Sequence, residues 1–341
     1  MKKLVLTFTA LSWLGLSLSS FMPFTYAQSA TGQQIALVPD IQRYSGLAAN
    51  SHILDQQIQR LVDNIESEDI RFITQLGDVV HSRGGDIEIP QQWQRTSRVF
   101  EMLDKAGVPF SVAYGNHDFD ARGESGGSAV LAQENFGASR YQKADWFGGS
   151  SPDGFSFYQF FQIEDQPILH INLKFSPDLA TLKWAEELVQ QHNIPTMIST
   201  HAYLTDAGGA RGGEGEVSAG REPIGEVIWQ YLVSRNDQIF IVFGGHNHAG
   251  ANVLVPGEYS EDGEYHQTSI NAEGREVYEF LSNYQDYPNG GDGWLQLVRF
   301  DIDSRKLSVR TYSTLYDKFQ TDAQSQFTLD IDFRERWRLD Q

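Results

Sequence analysis

The sequence predicts an α/β fold in which two β-sheets pack face to face and helices cover their outer sides. In the first half of the chain, apolar strand-like runs alternate with stretches of helical spacing, which is typical of α/β layering. After Gly250, short strand-like segments follow one another, separated by turns rich in Gly and Asp. Together the two halves favour a two-sheet sandwich with external helices.

The first half of the chain supplies three strands and two helices in alternation. Apolar residues three and four positions apart indicate the helices, and Pro90 and Gly107 mark the start and the end of the second one. The strands are predicted at 34–39, 72–76 and 109–113, and the helices at 51–66 and within 91–105.

The second half predicts a hairpin, two helices and six further strands. The two hairpin strands, 155–163 and 167–173, are separated by a short polar turn. The helices are predicted at 177–192 and 222–233, and the strands at 196–199, 238–243, 267–270, 277–282, 295–301 and 307–314.

Two glycine-rich loops interrupt this part of the chain. Residues 207–220 contain six glycines and come soon after His201, and residues 284–293 precede Trp294. Each loop is either a plain turn or part of the rim of a site, and the sequence leaves both interpretations open.

The first residues are typical of a secretory leader. Lys2 and Lys3 precede an apolar stretch too short for a spanning helix, and small residues end at Ala27. We therefore predict a signal peptide at 1–27 and a single domain at 28–341 with a β-rich C-terminal part. The alternative, an uncleaved membrane anchor, is disfavoured by the short apolar stretch. No later segment is apolar enough to span a bilayer, so we expect an exported protein, periplasmic or extracellular.

Charge and cysteine content exclude several function classes. Removal of the leader takes away two lysines and no acid, so the formal net charge of −19 becomes −21. Such a surface repels a polyanion and argues against nucleic acid as a partner. The sequence has no cysteine, which excludes disulfides, thiolate metal sites and cysteine nucleophiles.

Five polar segments carry the candidate chemistry, and each follows an apolar run predicted as a strand. Ligands of α/β sheets gather beyond the carboxyl ends of strands, so we expect these segments to meet. Carboxylate, amide and imidazole groups suit two hard-to-borderline divalent metals, which together favour displacement at phosphorus. The segments are Asp40-Ile41-Gln42, Gly77-Asp78, Gly115-Asn116-His117-Asp118, His201 and Gly245-His246-Asn247-His248.

The order and spacing of these segments closely resemble the calcineurin-like metallophosphoesterase family, over residues 35–333. The likeness is greatest to secreted bacterial members with Pro-Asp-x-Gln at the first motif, whose later Asn-Tyr-Gln and Gly-Gly-Asp-Gly-Trp sequences are matched within 283–294. The resemblance implies a four-layer α-β-β-α sandwich, two divalent metal ions (Mn, Zn, Fe, Co or Ni) and hydrolysis of phosphoester bonds by a metal-bound hydroxide.

The resemblance also assigns roles to individual residues. His117 would lie near the leaving-group oxygen, with Asp118 orienting it, and Asp78 would bridge both metals. The first metal would take Asp40, Gln42, Asp78 and His248, and the second would take Asp78, Asn116, His201 and His246.

Gln42 departs from the family, which has histidine at this position. Its amide oxygen is a weaker ligand for Zn or Fe and relatively better for Mn or Mg, so it binds the first metal directly or through water. His81 and Tyr203 are further candidates, for substrate contact, because they lie beside motif residues. The alternatives are the start of an exposed loop for His81 and a packing role for Tyr203.

The predicted function is hydrolysis of a phosphomonoester or a phosphodiester in a small molecule, a lipid or a glycan. The motifs contain no cluster of Arg and Lys that would clamp a free phosphate dianion. One alternative is a non-catalytic, secreted metal- or ligand-binding protein whose phosphoesterase site has degenerated at Gln42. Another is a different two-metal hydrolase such as an amidohydrolase, which generally shows another order of motifs.

Overall fold

The computed structural model describes residues 32–82, 85–205, 219–248 and 263–338. The predicted leader, 1–27, and most of the glycine-rich loop at 207–220 lie outside these residues. From Gly32 onward the chain forms one compact unit. Within the described ranges, none of the helices combines the length and the apolar character that crossing a bilayer requires.

The first sheet joins strands from both ends of the chain. Strand β1 (Gln33–Val38) lies parallel to β2 (Ile70–Gln75), which lies parallel to β3 (Phe110–Val112). On its other side β1 pairs antiparallel with β13 (Trp294–Asp301). The sheet is completed by β14 (Lys306–Ser313), β15 (Lys318–Phe319) and β16 (Gln326–Asp330).

The second sheet has a parallel centre with antiparallel edges. Its parallel strands, in spatial order, are β6 (Gln166–Leu173), β7 (Thr196–Thr200), β10 (Ile239–Gly244) and β12 (Glu276–Ser282). Its antiparallel strands are β4 (Phe147–Ser150), β5 (Phe157–Ile163) and β11 (Glu264–Ile270). A separate two-stranded pair contains β8 (Leu204–Thr205) and β9 (Gly220–Arg221).

Four longer helices flank the sheets. These helices are α2 (Ser51–Asp63), α3 (Ile89–Ala106), α6 (Leu179–His192) and α7 (Pro223–Tyr231). Helix α3 has proline in its first turn and ends at Gly107, whose φ of +72° gives the left-handed cap that glycine favours. Helix α6 begins at a cap in which the Asp178 carboxylate accepts from the Thr181 amide at 2.8 Å.

Five short helices and one 3-10 turn complete the described elements. They are α1 (Gln42–Gly46), α4 (Val130–Phe136), α5 (Ala138–Tyr141), α8 (Pro288–Gly291), α9 (Phe333–Arg336) and the 3-10 turn Val233–Arg235.

Alternation along the strands produces the layers. In β1, Ile35 and Leu37 pack into the cluster between the sheets, whereas Ala36 and Val38 pack under the helices of the first sheet. In β10, Ile241 faces the same inter-sheet cluster, whereas the next residue, Val242, faces the helices of the second sheet. The predicted four-layer α-β-β-α sandwich is confirmed.

The sequence prediction missed several elements that are too short or too irregular to show a period. Helix α1 begins at Gln42, and its five residues hold less than two helical turns. Strand β4 has the sequence Phe-Gly-Gly-Ser, which shows no alternation of apolar and polar residues. The part after Gly250, predicted as all-β, also contains the short helices α8 and α9.

Candidate metal centre

Five parallel strands bring the candidate ligands to one end of the sandwich. In the first sheet, β1, β2 and β3 end shortly before Asp40, Asp78 and Asn116. In the second sheet, β7 and β10 end shortly before His201 and His246. The two sheets pack face to face, so the polar groups that follow the strands converge and are buried.

Three glycines allow this convergence because a side chain would collide with a candidate ligand. A Cβ atom on Gly115 would lie 2.2 Å from the Asp78 backbone nitrogen, and a Cβ atom on Gly245 would lie 2.5 Å from Asp40 Oδ1. Gly77 has φ of +102°, which favours glycine, and a Cβ atom there would lie 2.5 Å from His201 Nδ1. The Gly-Asp, Gly-Asn and Gly-His sequences therefore have a steric cause.

The groups predicted for the second metal form a tight cluster. His201 Nε2 lies 3.2 Å from Asp78 Oδ1, 3.1 Å from Asn116 Oδ1 and 2.9 Å from His246 Nδ1. The other ring nitrogen of His201 donates to the carbonyl oxygen of Leu76 at 2.9 Å. Because a carbonyl only accepts, Nδ1 carries a proton, and Nε2 is the nitrogen whose lone pair a cation would take in place of a proton. This donor set fits a borderline divalent cation.

The charges of the cluster also call for a cation. Burial raises the pKa of Asp40 to about 7, although nearby His201 lowers it. Burial also raises the pKa of Asp78, but His201 and His117 outweigh this effect and hold it well below the usual range. In turn, Asp78 and Asp40 overcome the effect of burial and raise the pKa of His201 to about 9. Two buried carboxylates thus hold positive charge beside them, which a metal would supply in place of protons.

Asp40 and Gln42, predicted for the first metal, are buried and joined by hydrogen bonds. Asp40 Oδ2 accepts from Asn283 Nδ2 at 3.0 Å and from Gln285 Nε2 at 3.4 Å. Gln42 Nε2 donates to Asp78 Oδ2 at 2.9 Å and to Gln285 Oε1 at 2.7 Å. Gln42 Oε1 is buried without a hydrogen-bond partner. A buried oxygen in this state fits direct coordination of a metal.

His248 lies at the more exposed side of the same set. Its Nδ1 pairs with the buried carboxylate of Asp286, which also accepts from Arg43 Nη2 at 2.8 Å. A carboxylate on one ring nitrogen leaves the other for a metal, an arrangement common around metal-binding histidines. Among the described residues, His248 is not part of the tight cluster of Asp78, His201 and His246.

His117 and Asp118 have separate hydrogen-bond partners. His117 Nε2 lies 3.9 Å from Asp78 Oδ2, and its Nδ1 lies 3.0 Å from Ser82 Oγ. Asp118 accepts from the backbone amides of Val79 at 2.9 Å and Gly115 at 2.7 Å. Both carboxylate oxygens of Asp118 therefore hold the loop around Asp78, and its predicted role in orienting His117 stays a prediction.

Two pKa values follow from these surroundings. Burial lowers the pKa of His117 to about 4, although the charge of Asp78 raises it. Burial and the charge of Asp78 raise the pKa of Asp118 to about 8, against the amides of Gly115 and Val79. His117 is therefore neutral in this site at physiological pH.

The two residues predicted to contact substrate have different surroundings. The His81 ring is half-buried and stacks on His117, with ring centres 5.7 Å apart, so it lies beside the cluster. Tyr203 is fully buried in the core of the second sheet, where its backbone also packs against Gly225. The side chain of Tyr203 has no exposed surface, which favours the packing role, and its substrate contact stays a prediction.

Sequence reasoning missed several residues that hold the candidate ligands. Ser82 contacts His117, and Asn283, Gln285 and Asp286 contact Asp40, Gln42 and His248. The sequence did contain a sign of Asn283 and Gln285, because the Asn-Tyr-Gln segment is one of the motifs that resemble the family. The loop at 284–293 was also one of the two that could form part of the rim of a site. The structure places the start of that loop against the ligands.

A cavity of about 440 Å³ opens beside His117. Six apolar residues form part of its wall, and the positive charge of Arg122 lies close enough to lower the pKa of His117 further. The apolar residues are Val80, Ile89, Trp93, Phe119, Ala121 and Leu131.

Known proteins share the sequence pattern of this site. The family described as Calcineurin-like phosphoesterase matches residues 34–250, which contain all of the predicted metal ligands. The uncharacterized protein YvnB of Bacillus subtilis (strain 168) is 28% identical over 292 residues, which are 84% of this chain and 21% of that relative. The chain thus spans about a fifth of the length of this curated relative.

Two solved structures are similar to this chain at low sequence identity. A dimetal phosphatase from Danio rerio is 11% identical, with a TM-score of 0.48 over 87% of this chain and 98% of the other. A 5'-nucleotidase precursor from Thermus thermophilus is 13% identical, with a TM-score of 0.46 over 91% of this chain and 58% of the other.

Proposed function

The chain belongs to the calcineurin-like phosphoesterase family, and we propose that it hydrolyses a phosphoester bond with the help of two divalent metal ions. The observation that carries this proposal is the convergence of Asp78 with His201, His246 and Asn116 on one side and with Gln42 on the other. One carboxylate between two sets of donors is the arrangement that two neighbouring cations need.

The two donor sets divide around Asp78. His201, His246 and Asn116 would hold one metal, and Asp40, Gln42 and His248 would hold the other. When bound, the two cations supply Lewis acidity toward phosphoryl oxygens and lower the pKa of a water molecule. The set of His201, His246 and Asn116 offers two imidazoles, whereas the set of Asp40, Gln42 and His248 offers one, so the two sites differ in affinity.

His117 is placed to act on the leaving group. The backbone amide of Ser82 donates toward His117 Nδ1 at 3.4 Å, so Nδ1 is the acceptor and the proton of the neutral ring is on Nε2. Nε2 faces Asp78 and therefore the reacting groups. His117 can thus donate a hydrogen bond from Nε2 to the departing oxygen and stabilise the negative charge that develops there.

The cavity beside His117 gives room for the alcohol portion of the substrate. It adjoins the ring that would hydrogen-bond to the leaving oxygen, and its volume of about 440 Å³ suits a small organic group. Its lining combines apolar residues with Arg122, Asp120 and Glu124, so the proposed substrate is a phosphoester of a small alcohol that carries both apolar and polar groups.

The proposal is tested with metal-free protein reconstituted separately with Mn, Zn, Fe, Co and Ni. Turnover of p-nitrophenyl phosphate and of bis(p-nitrophenyl) phosphate is measured for the wild type, Asp78→Asn and His117→Asn. We expect metal-dependent turnover that both substitutions remove or strongly reduce. A protein that binds two metals per chain yet turns over neither compound, nor a phospholipid or phosphorylated glycan, would instead be the non-catalytic binding protein.

A further inference from the structure

One short segment contacts all three non-bridging groups of the first metal set. This segment, Asn283-Tyr284-Gln285-Asp286, follows β12 and is here called the clamp segment. The contacts are Asn283 to Asp40, Gln285 to both Asp40 and Gln42, and Asp286 to His248. Asp40 and Gln42 lie more than 200 positions before their partners in this segment, so only the fold brings these residues together.

The hydrogen bonds between these groups admit one orientation for both amides. A carboxylate only accepts, so Gln285 must present Nε2 to Asp40, which leaves its Oε1 toward Gln42. Gln42 must then donate to Gln285, and its donation to the carboxylate of Asp78 requires the same nitrogen. Gln42 Oε1 is left over, buried and without a partner in the described chain.

We propose that Gln285 is a positioning residue that turns the Gln42 amide so that its oxygen, and not its nitrogen, faces the first metal. This inference rests on the proposed two-metal function and explains how a neutral amide serves where the family has histidine. An amide nitrogen carries no lone pair available to a metal, so a Gln42 free to rotate would spend part of its time in a non-binding orientation.

The clamp segment is itself fixed by contacts with other buried residues. Its Tyr284 hydroxyl contacts the carboxylate of Glu264 and lies 3.1 Å from Thr311 Oγ1, and Tyr284 is fully buried. The backbone N–H of Gln285 donates to Asn283 Oδ1 at 3.1 Å, and Gln285 is only 4% exposed. Gln285 is therefore fixed before any metal binds, which is what a positioning residue requires.

The experiment measures metal binding without substrate. Metal-free protein is titrated with Mn²⁺, and free Mn²⁺ is followed by electron paramagnetic resonance, which gives both affinities. The first site is identified as the one weakened in Asp40→Ala. Gln285→Met keeps the volume of the side chain and removes both hydrogen bonds, and we expect it to weaken the first site about 10–100-fold while the second site changes little. Gln57→Met is the matched control, since Gln57 is also buried and, within the described ranges, its side chain donates only to the carbonyl of Trp294 at the start of β13.

A double-mutant cycle separates positioning from general loss of structure. In a Gln42→Ala background no amide remains to be oriented, so Gln285→Met should weaken the first site by less than about threefold, near the limit of additivity for independent sites. An equal effect of Gln285→Met in both backgrounds would overturn the proposal. It would show that Gln285 supports Asp40 or the fold in general and does not orient Gln42. If Gln285→Met does not fold, Gln285→Ala in the same cycle provides the comparison. Absence of turnover leaves these affinities measurable, so failure of the proposed function is distinguishable from failure of this inference.

Discussion

Replacement of Asp118 by alanine should destabilise the protein itself, not only its activity. The Asp118 oxygens accept from the amides of Gly115 at 2.7 Å, Val79 at 2.9 Å and Val80 at 3.2 Å, and the side chain is buried. Alanine leaves these amides without a partner, and each unsatisfied buried donor costs about 1–3 kcal/mol. Since the longest of these bonds contributes least, we expect the free energy of unfolding to fall by about 3–5 kcal/mol, at the high end for one substitution.

The assay is urea unfolding of metal-free protein followed by tryptophan fluorescence, with the slope of the transition as a check on two-state behaviour. Asp118→Asn keeps one accepting oxygen and should lose about half as much stability. Asp120→Ala is the control, because Asp120 is exposed and receives one long bond from Val130, so its loss should stay within about 1 kcal/mol. Unchanged stability together with lost turnover in Asp118→Ala would refute this account and return Asp118 to a role on His117.

Three further outcomes are expected. Asp78→Asn should lose metal and activity together, whereas His117→Asn should lower turnover by about 10²–10⁴-fold at unchanged metal content, as measured by metal analysis beside kinetics. Gln42→His should tighten the first metal and move its preference from Mn toward Zn or Fe; equal affinities in wild type and variant would make residue 42 a bystander. Tyr203→Phe should leave KM unchanged because the side chain is buried, and a raised KM would show that its hydroxyl group contacts substrate.

Much of the fold follows from local patterns in the sequence. The helix predicted within 91–105 is observed at Ile89–Ala106, because a proline at its start and Gly107 at its end are strong local signals. The alternation of Ile35 and Leu37 with their neighbours places β1 between two apolar layers. Patterns of this kind involve residues only a few positions apart, so they can be recognised in the sequence without knowledge of the fold.

The candidate ligands could be found from the sequence for the same reason, but the residues that hold those ligands in place could not. Asp78 and His201 each follow a buried strand, so the sequence indicates where they lie. Gln285 holds Gln42 across 243 positions, and in the sequence it is one amide in a loop rich in Gly and Asp. The family resemblance assigned Asp118 to His117, and no sequence pattern indicated the hydrogen bonds that Asp118 accepts from the backbone amides of Val79 and Gly115.

The most direct test of the central claim, that Asp78 lies between two metals, is a crystal structure of Mn-reconstituted protein with anomalous scattering from Mn. We predict two peaks a few ångströms apart, both in contact with the Asp78 carboxylate. One peak should touch His201, His246 and Asn116, and the other should touch Asp40, His248 and Gln42 Oε1. A single peak at full Mn occupancy, or two peaks that do not share Asp78, would contradict the account.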